Sequence, residues 1–421
     1  MGENHNSTIP LNLEYFIAKR LIGVKNHKSN ISTPIIKIAI SAIAIGMIMM
    51  IISVATGIGL QKKIREKISA FNGHIIISNF DDNQSKVSSN PISKKQNFYP
   101  KFKTVEGVNH VQAVASKAGI IRTETAFEGV IFKGVGADYR WDNMQEYLIE
   151  GKLPNLSDAL NAEVVISQFL ANRLNLKVGA KFNTFFMKEE SNQLPNMRVF
   201  EITGIYNSGF QEFDEMFVLG DIRHVQRINK WDENQVGSFE VFLDDFDQIE
   251  TKGKEVYDET GSTLDTKTII EKYFYIFEWL KLFDFNIITI LIIMIIVATI
   301  NMVVALLVLI LERTQMIGIL KAMGANNWMV RKIFLYNAFY LIVRGLFYGN
   351  VIGVGLILIQ QYFGVIQLNP ENYYVNVAPV DLNWTYLVLL NIGTIIICLL
   401  VLLIPSYIIT KISPVKAIKF E

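Results

Sequence analysis

Long unbroken apolar runs dominate the hydrophobic pattern of this chain. Ile38–Leu60 is uncharged over 23 residues, and Phe285–Leu311 and Trp384–Ile409 are uncharged and longer. At about 1.5 Å of rise per residue, each exceeds a hydrocarbon thickness of roughly 30 Å and predicts a spanning helix. Gly345–Ile359 (GLFYGNVIGVGLILI) is shorter but continues helically on both sides, which makes a fourth. Ile38–Leu60 lies behind residues 1–37 and outruns the roughly 7–15 residues of a signal-peptide core, so it reads as a retained span.

The pattern changes between the first two spans. FNGHIIISN, RVFEITGIYN and SFEVFLDD alternate apolar and polar residues and predict strands, while SQFLANRLNL and GDIRHVQRINKW predict short helices. DDNQSKVSSNPISKKQNFYP (81–100) is polar with two prolines and predicts a mobile excursion. The fold class is an α-helical membrane protein with four transmembrane helices plus a large extracytoplasmic α+β domain.

Near the start, Leu13, Phe16, Ile17, Leu21 and Val24 share one face of a helix, with Glu14, Lys19 and Lys25 toward the other. This predicts either a basic amphipathic helix in the membrane interface or a packed leader helix. The expected segments are 1–37 as this interfacial element, a span at 38–60, the α+β domain at 61–284 and a span at 285–311. A short cytoplasmic loop follows at 312–332, then a span at 333–361, an external loop at 362–383, a span at 384–409 and a tail at 410–421.

Charge sets the orientation. The 312–332 loop carries Arg313, Lys321, Arg331 and Lys332, the tail carries Lys411, Lys416 and Lys419, and 361–383 has neither Lys nor Arg. Basic short loops stay cytoplasmic, so both termini are expected inside and residues 61–284 outside. QKKIREK (61–67) runs against that rule, but long exported domains translocate largely regardless of charge.

Composition agrees with a membrane protein: 51% hydrophobic, 19% charged, mean hydropathy +0.29. Net charge is +1, and no nucleic-acid partner is expected. Cys398 is the sole cysteine and lies inside the last span, so the exported domain has no disulfide. The chain lacks G-x-x-x-x-G-K-[ST], H-E-x-x-H, C-x-x-C and G-x-S-x-G, and GVGADYR (134–140) lacks a third glycine. The carboxylates of EFDE (212–215) and LDDFD (243–247) read as solvated turns, and no catalytic or metal-binding set is expected.

Inside the spans, Gly349, Gly353 and Gly355 predict close helix approach, and Asn301 and Asn391 predict hydrogen bonds between helices. Arg344 is expected to snorkel to the headgroups. Walls of Ile, Met and Phe suit acyl chains better than ions.

The loop LERTQMIGILKAMGANNWMVRKIFL (311–335) puts charges and glycines between two oily spans. Met316, Ile319, Leu320 and Met323 fall on one face, expected to pack inward, with Gln315, Gly318, Lys321 and Ala322 mostly opposite on the exposed face. Gly324 suits a helix C-terminus, and Asn326 or Asn327 an N-cap. The residues alone leave open an ordinary interfacial helix or a docking element.

ERTQMIGILKAMGANNWMVRKIFL resembles the signature of FtsX-like ABC-transporter permeases with a MacB-like periplasmic domain. FIAKRL near the start, the order of spans and the closing PVKAIKFE extend the likeness. Within that superfamily the chain resembles lipoprotein-releasing permeases of the LolC/LolE type, on LPNMRVFEITGIYNSGFQEFDEMFVLGDI (194–222) and NPENYYVNVAPVDLNW (369–384). The resemblance implies a bacterial inner-membrane subunit that releases outer-membrane-directed lipoproteins to a periplasmic chaperone. Its implied partners are a cytoplasmic ABC ATPase dimer, a second permease copy or paralogue, the chaperone, triacylated lipoproteins and membrane lipid. No cofactor is implied on this chain, with ATP and magnesium on the ATPase. MacB-like export and FtsX-like signalling to cell-wall hydrolases are the alternatives.

Three sets of residues follow from the resemblance. ATPase coupling falls to Glu312, Arg313, Gly318, Lys321, Gly324 and Ala325. A chaperone-binding hook falls to Met187, Lys188, Glu189, Pro195, Met197 and Arg198, within FFMKEESNQLPNMRVF (185–200), which otherwise reads as a plain hairpin loop. The acyl-chain cavity is expected at Ile51, Val54, Ile58, Phe283, Phe285 and Ile288.

Overall fold

The computed structural model describes residues 14–18, 32–156, 159–187, 194–261 and 263–413, without the side chains of residues 32, 33 and 371. Among the described residues, four helices are long and apolar enough to cross a membrane. They are contained in α1 (Ser32–Asn72), α2 (Phe274–Glu312), α4 (Asn327–Phe363) and α5 (Trp384–Ser406) with the turn that follows it, while a short α3 (Thr314–Ala322) separates α2 from α4. Glu14–Ala18 are helical, and the rest of the predicted amphipathic helix lies outside the described residues, as does PVKAIKFE.

Contacts divide the chain into two units, Met1–Leu60 with Lys281–Ile366 and Ala378–Glu421, and Gln61–Leu280 with Gln367–Val377. In the first, Met47, Met302, Ile310, Val330, Ile342, Cys398 and Leu402 are fully buried in one core. Gly345, Gly349 and Gly353 recur every fourth residue on the α4 face that meets α1. A Cβ at Gly349 would lie 2.7 Å from Met47 Cβ and 2.9 Å from the Ala44 carbonyl oxygen. Gly355 has nothing within 4 Å, so the close-approach stripe is 345–349–353 and not 349–353–355. Helical period explains the shift: residue 355 points well away from 353, whereas 349 and 345 lie almost beneath it.

The predicted polar glue divides in the same way. Asn391 and Asn350 exchange amide hydrogen bonds across α4 and α5 at 2.7 and 3.0 Å. Each also donates to its own helix, to Leu346 and Leu387 carbonyls. Asn301 instead donates to the Val297 carbonyl one turn back, so it is not an interhelical bond. Arg344 lies over the Tyr340 ring at 4.3 Å.

Among the described residues, the main sheet of the second unit has ten strands: β1 (Ile75–Asn79), β2 (Val108–Arg122), β3 (Phe127–Val135), β4 (Leu148–Gly151), β5 (Glu163–Ser167), β6 (Lys181–Phe186), β7 (Asn196–Tyr206), β8 (Phe217–Asp221), β9 (Ser238–Leu243) and β10 (Leu264–Thr268). Their order is β10-β1-β9-β2-β3-β8-β5-β7-β4, with β6 pairing β2 and β7. That last pairing closes β2-β3-β8-β5-β7-β6 into a ring, parallel only at β3·β8 and β5·β7. Phenylalanines pack its inside, with Phe132 stacked on Phe200 at 4.9 Å and edge-on to Phe186 at 6.0 Å. Period-two alternation turns Lys133, the next residue, to the opposite face, where it meets Glu240 of β9 at 2.5 Å. Both side chains are buried.

Residues 81–100 are no loose excursion. Ile92–Ser93 pair with Gln235–Val236, and Ile92 and Phe98 are buried. The Asp82 carboxylate accepts from the Ser89 and Asn90 backbone at 2.9 and 2.7 Å, which ties the polar stretch to itself. Polar composition therefore marked a loop but not its mobility. Residues 367–377 also belong to this unit: Tyr374 stacks on Phe210 at 4.7 Å, and its carbonyl accepts from Lys67.

Candidate functional site

The short helix α3 is set by its C-terminal stop. After Ala322 the chain closes with an Ala325 N–H to Leu320 carbonyl bond and a Gly324 N–H to Lys321 carbonyl bond, at 3.0 and 3.1 Å. This pair of bonds is a Schellman stop, and it puts Gly324 at φ +94°, where a side chain is strained. Asn326 then caps α4, its side chain accepting from the Met329 N–H at 2.7 Å. Gly324 and Asn326 therefore take the roles the sequence assigns them.

The face that α3 buries differs from the expected one. Ile317 and Gly318 are buried, while Ile319 and Met323 are 47% and 75% exposed. Gly318 thus faces the bundle and not outward, because α3 packs through its 317–318 edge with Met316 and Leu320 alongside. Lys321 also turns inward. Its ammonium donates to the Ile409 and Ile412 carbonyls at 2.6 and 2.9 Å, which caps the helical turn at the end of the bundle. Partial burial lowers its pKa from the ordinary lysine value. Arg331 reinforces this corner, donating to Ser406 Oγ and the Leu403 carbonyl at 3.0 Å each. Glu312 is exposed at the end of α2, Arg313 is half-buried in the turn, and Ala325 packs on the core. The outward surface of the loop is therefore apolar at Ile319 and Met323, a feature the helical projection of the sequence put on the buried side.

The expected acyl-chain residues do not converge. Ile51 and Val54 are buried and face Asp381–Asn383, Tyr386, Leu387 and Leu390. Phe285 and Ile288 are 69% and 55% exposed on α2, Ile58 and Phe283 are half-buried, and it is Ile287 that reaches Gly57 of α1. Phe285 and Ile288 with Ile292 and Ile296 form an uncovered apolar row on α2. Every face of such a helix is apolar, so no sequence signal separates its packed side from its open one.

The hook lies where β6 and β7 run into their connection. Phe186 pairs with Asn196, and Lys188 and Glu189 lie outside the described residues. Met187, Leu194, Met197 and Val199 are all about half exposed or more, forming an apolar margin beside exposed Pro195. Arg198 is half-buried on the alternate face and donates to the Met197 carbonyl. No group of three His, Cys, Asp or Glu among the described residues could hold a metal ion.

The sequence matches the family model for the MacB-like periplasmic core domain over residues 38–256 and that for the FtsX-like permease C-terminal region over residues 288–414. It is 22% identical to the lipoprotein-releasing system transmembrane protein LolC of Buchnera aphidicola subsp. Schizaphis graminum, over 93% of this chain and 95% of that one. The corresponding LolE protein of Haemophilus influenzae is 20% identical, over 97% of this chain and 99% of its own length. Among solved structures, the extracellular domain of the ABC-type transporter YknZ from Gram-positive bacteria aligns with 46% of this chain and 99% of its own, at 17% identity and a TM-score of 0.32.

Proposed function

This chain belongs to the FtsX-like, MacB-like family of ABC-transporter permeases, and on that premise we propose that it releases lipoproteins from the bacterial inner membrane. The observation that carries this reading is similarity along nearly the entire length to LolC and LolE relatives, covering both the exported domain and the spans. In this reading a separate cytoplasmic ATPase dimer holds ATP and magnesium, and a second permease copy or paralogue completes the membrane unit. The α+β domain lies in the periplasm and both termini in the cytoplasm.

The ATPase contact is made by Ile319 and Met323, whose exposure on a short helix closed by a Schellman stop supports a knob that inserts into an apolar groove. Gly324 and Lys321 support that helix from behind. Acyl chains bind along the outer row of α2 at Phe285 and Ile288 instead of between α1 and α2. Burial there gains no more per methylene than bilayer lipid offers, so selection of a lipoprotein falls to polar groups near its linked cysteine. Chaperone capture falls to the apolar margin of the hook, Met187, Leu194 and Met197.

The test is ATP-dependent release of a triacylated lipoprotein from proteoliposomes containing the full chain, its ATPase and any paralogous permease. Release into the soluble fraction with added chaperone is the expected result, reduced at least tenfold by Ile319→Asp with Met323→Asp. No release, together with co-purification of a duct adaptor or a cell-wall hydrolase, would overturn the reading in favour of export or signalling.

A further inference from the structure

The α+β unit also contains a polar cavity that the coupling helix, the acyl row and the hook leave unused. Its floor is one face of three adjacent strands, with Ile76 and Ser78 from β1, Ser238 and Glu240 from β9, and Val114 and Ser116 from β2. Alternate residues on paired strands point the same way, so these side chains form a continuous surface. Ser78 and Ser238 are direct cross-strand partners. The tied segment 82–88 makes one wall and Lys272–Tyr273 another.

Charge in this cavity is unbalanced. Four lysines, Lys86, Lys133, Lys267 and Lys272, face two carboxylates, Asp82 and Glu240. Both carboxylates are already engaged. Asp82 accepts three hydrogen bonds from Ser89 and Asn90, and Glu240 binds Lys133 through one oxygen and Gln112 through the other, at 2.5 and 2.8 Å. Lys86, 43% exposed at the rim, pairs with Glu212. The ammonium groups of Lys267 and Lys272 have no hydrogen bond or ion pair among the described residues. Burial pushes the Lys272 pKa down to about 8, with Lys133, Lys86 and Lys267 adding repulsion and Glu240 opposing it.

An ammonium drawn partly out of water is stabilised when an anion meets it, and half-buried Lys272 shares this cavity with the Ser78 and Ser238 side chains and with Lys267. The cavity volume of about 60 Å³ exceeds several-fold the roughly 10–15 Å³ a single water needs, which suits one small oxyanion and is too small for a peptide. We propose that this cavity binds a phosphate group, held by the Lys272 and Lys267 ammonium groups with hydrogen bonds from the Ser78 and Ser238 hydroxyls. Lysine acts on phosphate as a movable point charge, so no planar fork is required. The phosphate can come from free inorganic phosphate or from a lipid headgroup, and the site is independent of which cargo the permease moves.

The test is calorimetric titration of the full chain in an uncharged detergent, with inorganic phosphate in one arm and short-chain phosphatidic acid in the other. Saturable one-site binding in at least one arm is expected. Lys272→Met should weaken it at least tenfold and Lys267→Met severalfold, while Lys272→Arg stays within about threefold of wild type. Without phosphate, Lys272→Met should melt no lower than wild type, because it removes a half-buried charge that has no side-chain partner among the described residues. Tighter binding of phosphatidic acid identifies a headgroup as the source, and equal or tighter binding of inorganic phosphate identifies the free anion. No saturable binding in either arm, or wild-type affinity in a folded Lys272→Met protein, overturns the proposal.

Discussion

Replacing Gly349 by alanine probes how α1 and α4 are held together. The new Cβ would stand 2.7 Å from Met47 Cβ and 2.9 Å from the Ala44 carbonyl oxygen. Carbon atoms pack best at roughly 3.5–4.0 Å, so the methyl is about 1 Å too close to a fully buried side chain and to backbone. Neither neighbour is the free end of a flexible chain, so the helices must separate. Overpacking of this kind costs about 1–3 kcal/mol. Alanine also recovers roughly 0.5–1 kcal/mol of the conformational penalty of a helical glycine. Gly355→Ala supplies the reference, because it has the same recovery and nothing within 4 Å. The two variants should differ by about 2 kcal/mol, with Gly355→Ala at or slightly above wild type. SDS titration of the full chain in mixed micelles, followed by far-ultraviolet circular dichroism, reads the difference. Stabilities within about 0.5 kcal/mol of each other would refute the assignment of the 345–349–353 stripe.

Gly324→Ala should cost about 1 kcal/mol by straining the left-handed stop of α3, and should lower the ratio of released lipoprotein to ATP hydrolysed. An unchanged ratio in reconstituted vesicles would remove α3 geometry from coupling. Lys133→Met leaves Glu240 buried beside Gln112 alone and should destabilise the α+β unit by roughly 3–5 kcal/mol, whereas Lys133→Met with Glu240→Leu should recover most of it. Thermal melts of the two variants decide this, and a single variant as stable as the double would contradict it. Burial lowers the His74 pKa from 6.5 to about 4, and its Nδ1 accepts the Leu243 N–H, which requires the neutral ring. A depressed folded-state pKa makes this contribution complete above pH 6.5 and progressively lost as pH falls toward 4, by at most about 1.4 kcal/mol per pH unit. Denaturant melts should show that slope, and His74→Gln should flatten it.

Much of this protein is written in short stretches of its sequence. Uncharged runs longer than a bilayer is thick leave the chain little choice but to form spanning helices, since lipid offers no partner for an open backbone. Short runs rich in β-branched and aromatic residues likewise identify β1, β7 and β9, and Gly324 and Asn326 mark a stop and a start because those conformations are decided within a turn. What the sequence could not express is direction. On α2 and α4 apolar residues surround the helix, so nothing local distinguishes Gly345 from Gly355, or Ile287 from Phe285. Only packing against α1 makes those choices. Lys321 reads as a surface charge until the Ile409 and Ile412 carbonyls, far along the chain, provide partners that draw it inward. The lysine-lined cavity has the same origin: Asp82, Ser116, Glu240 and Lys272 become neighbours through strand pairing and loop closure, and their charge imbalance exists only in the folded unit.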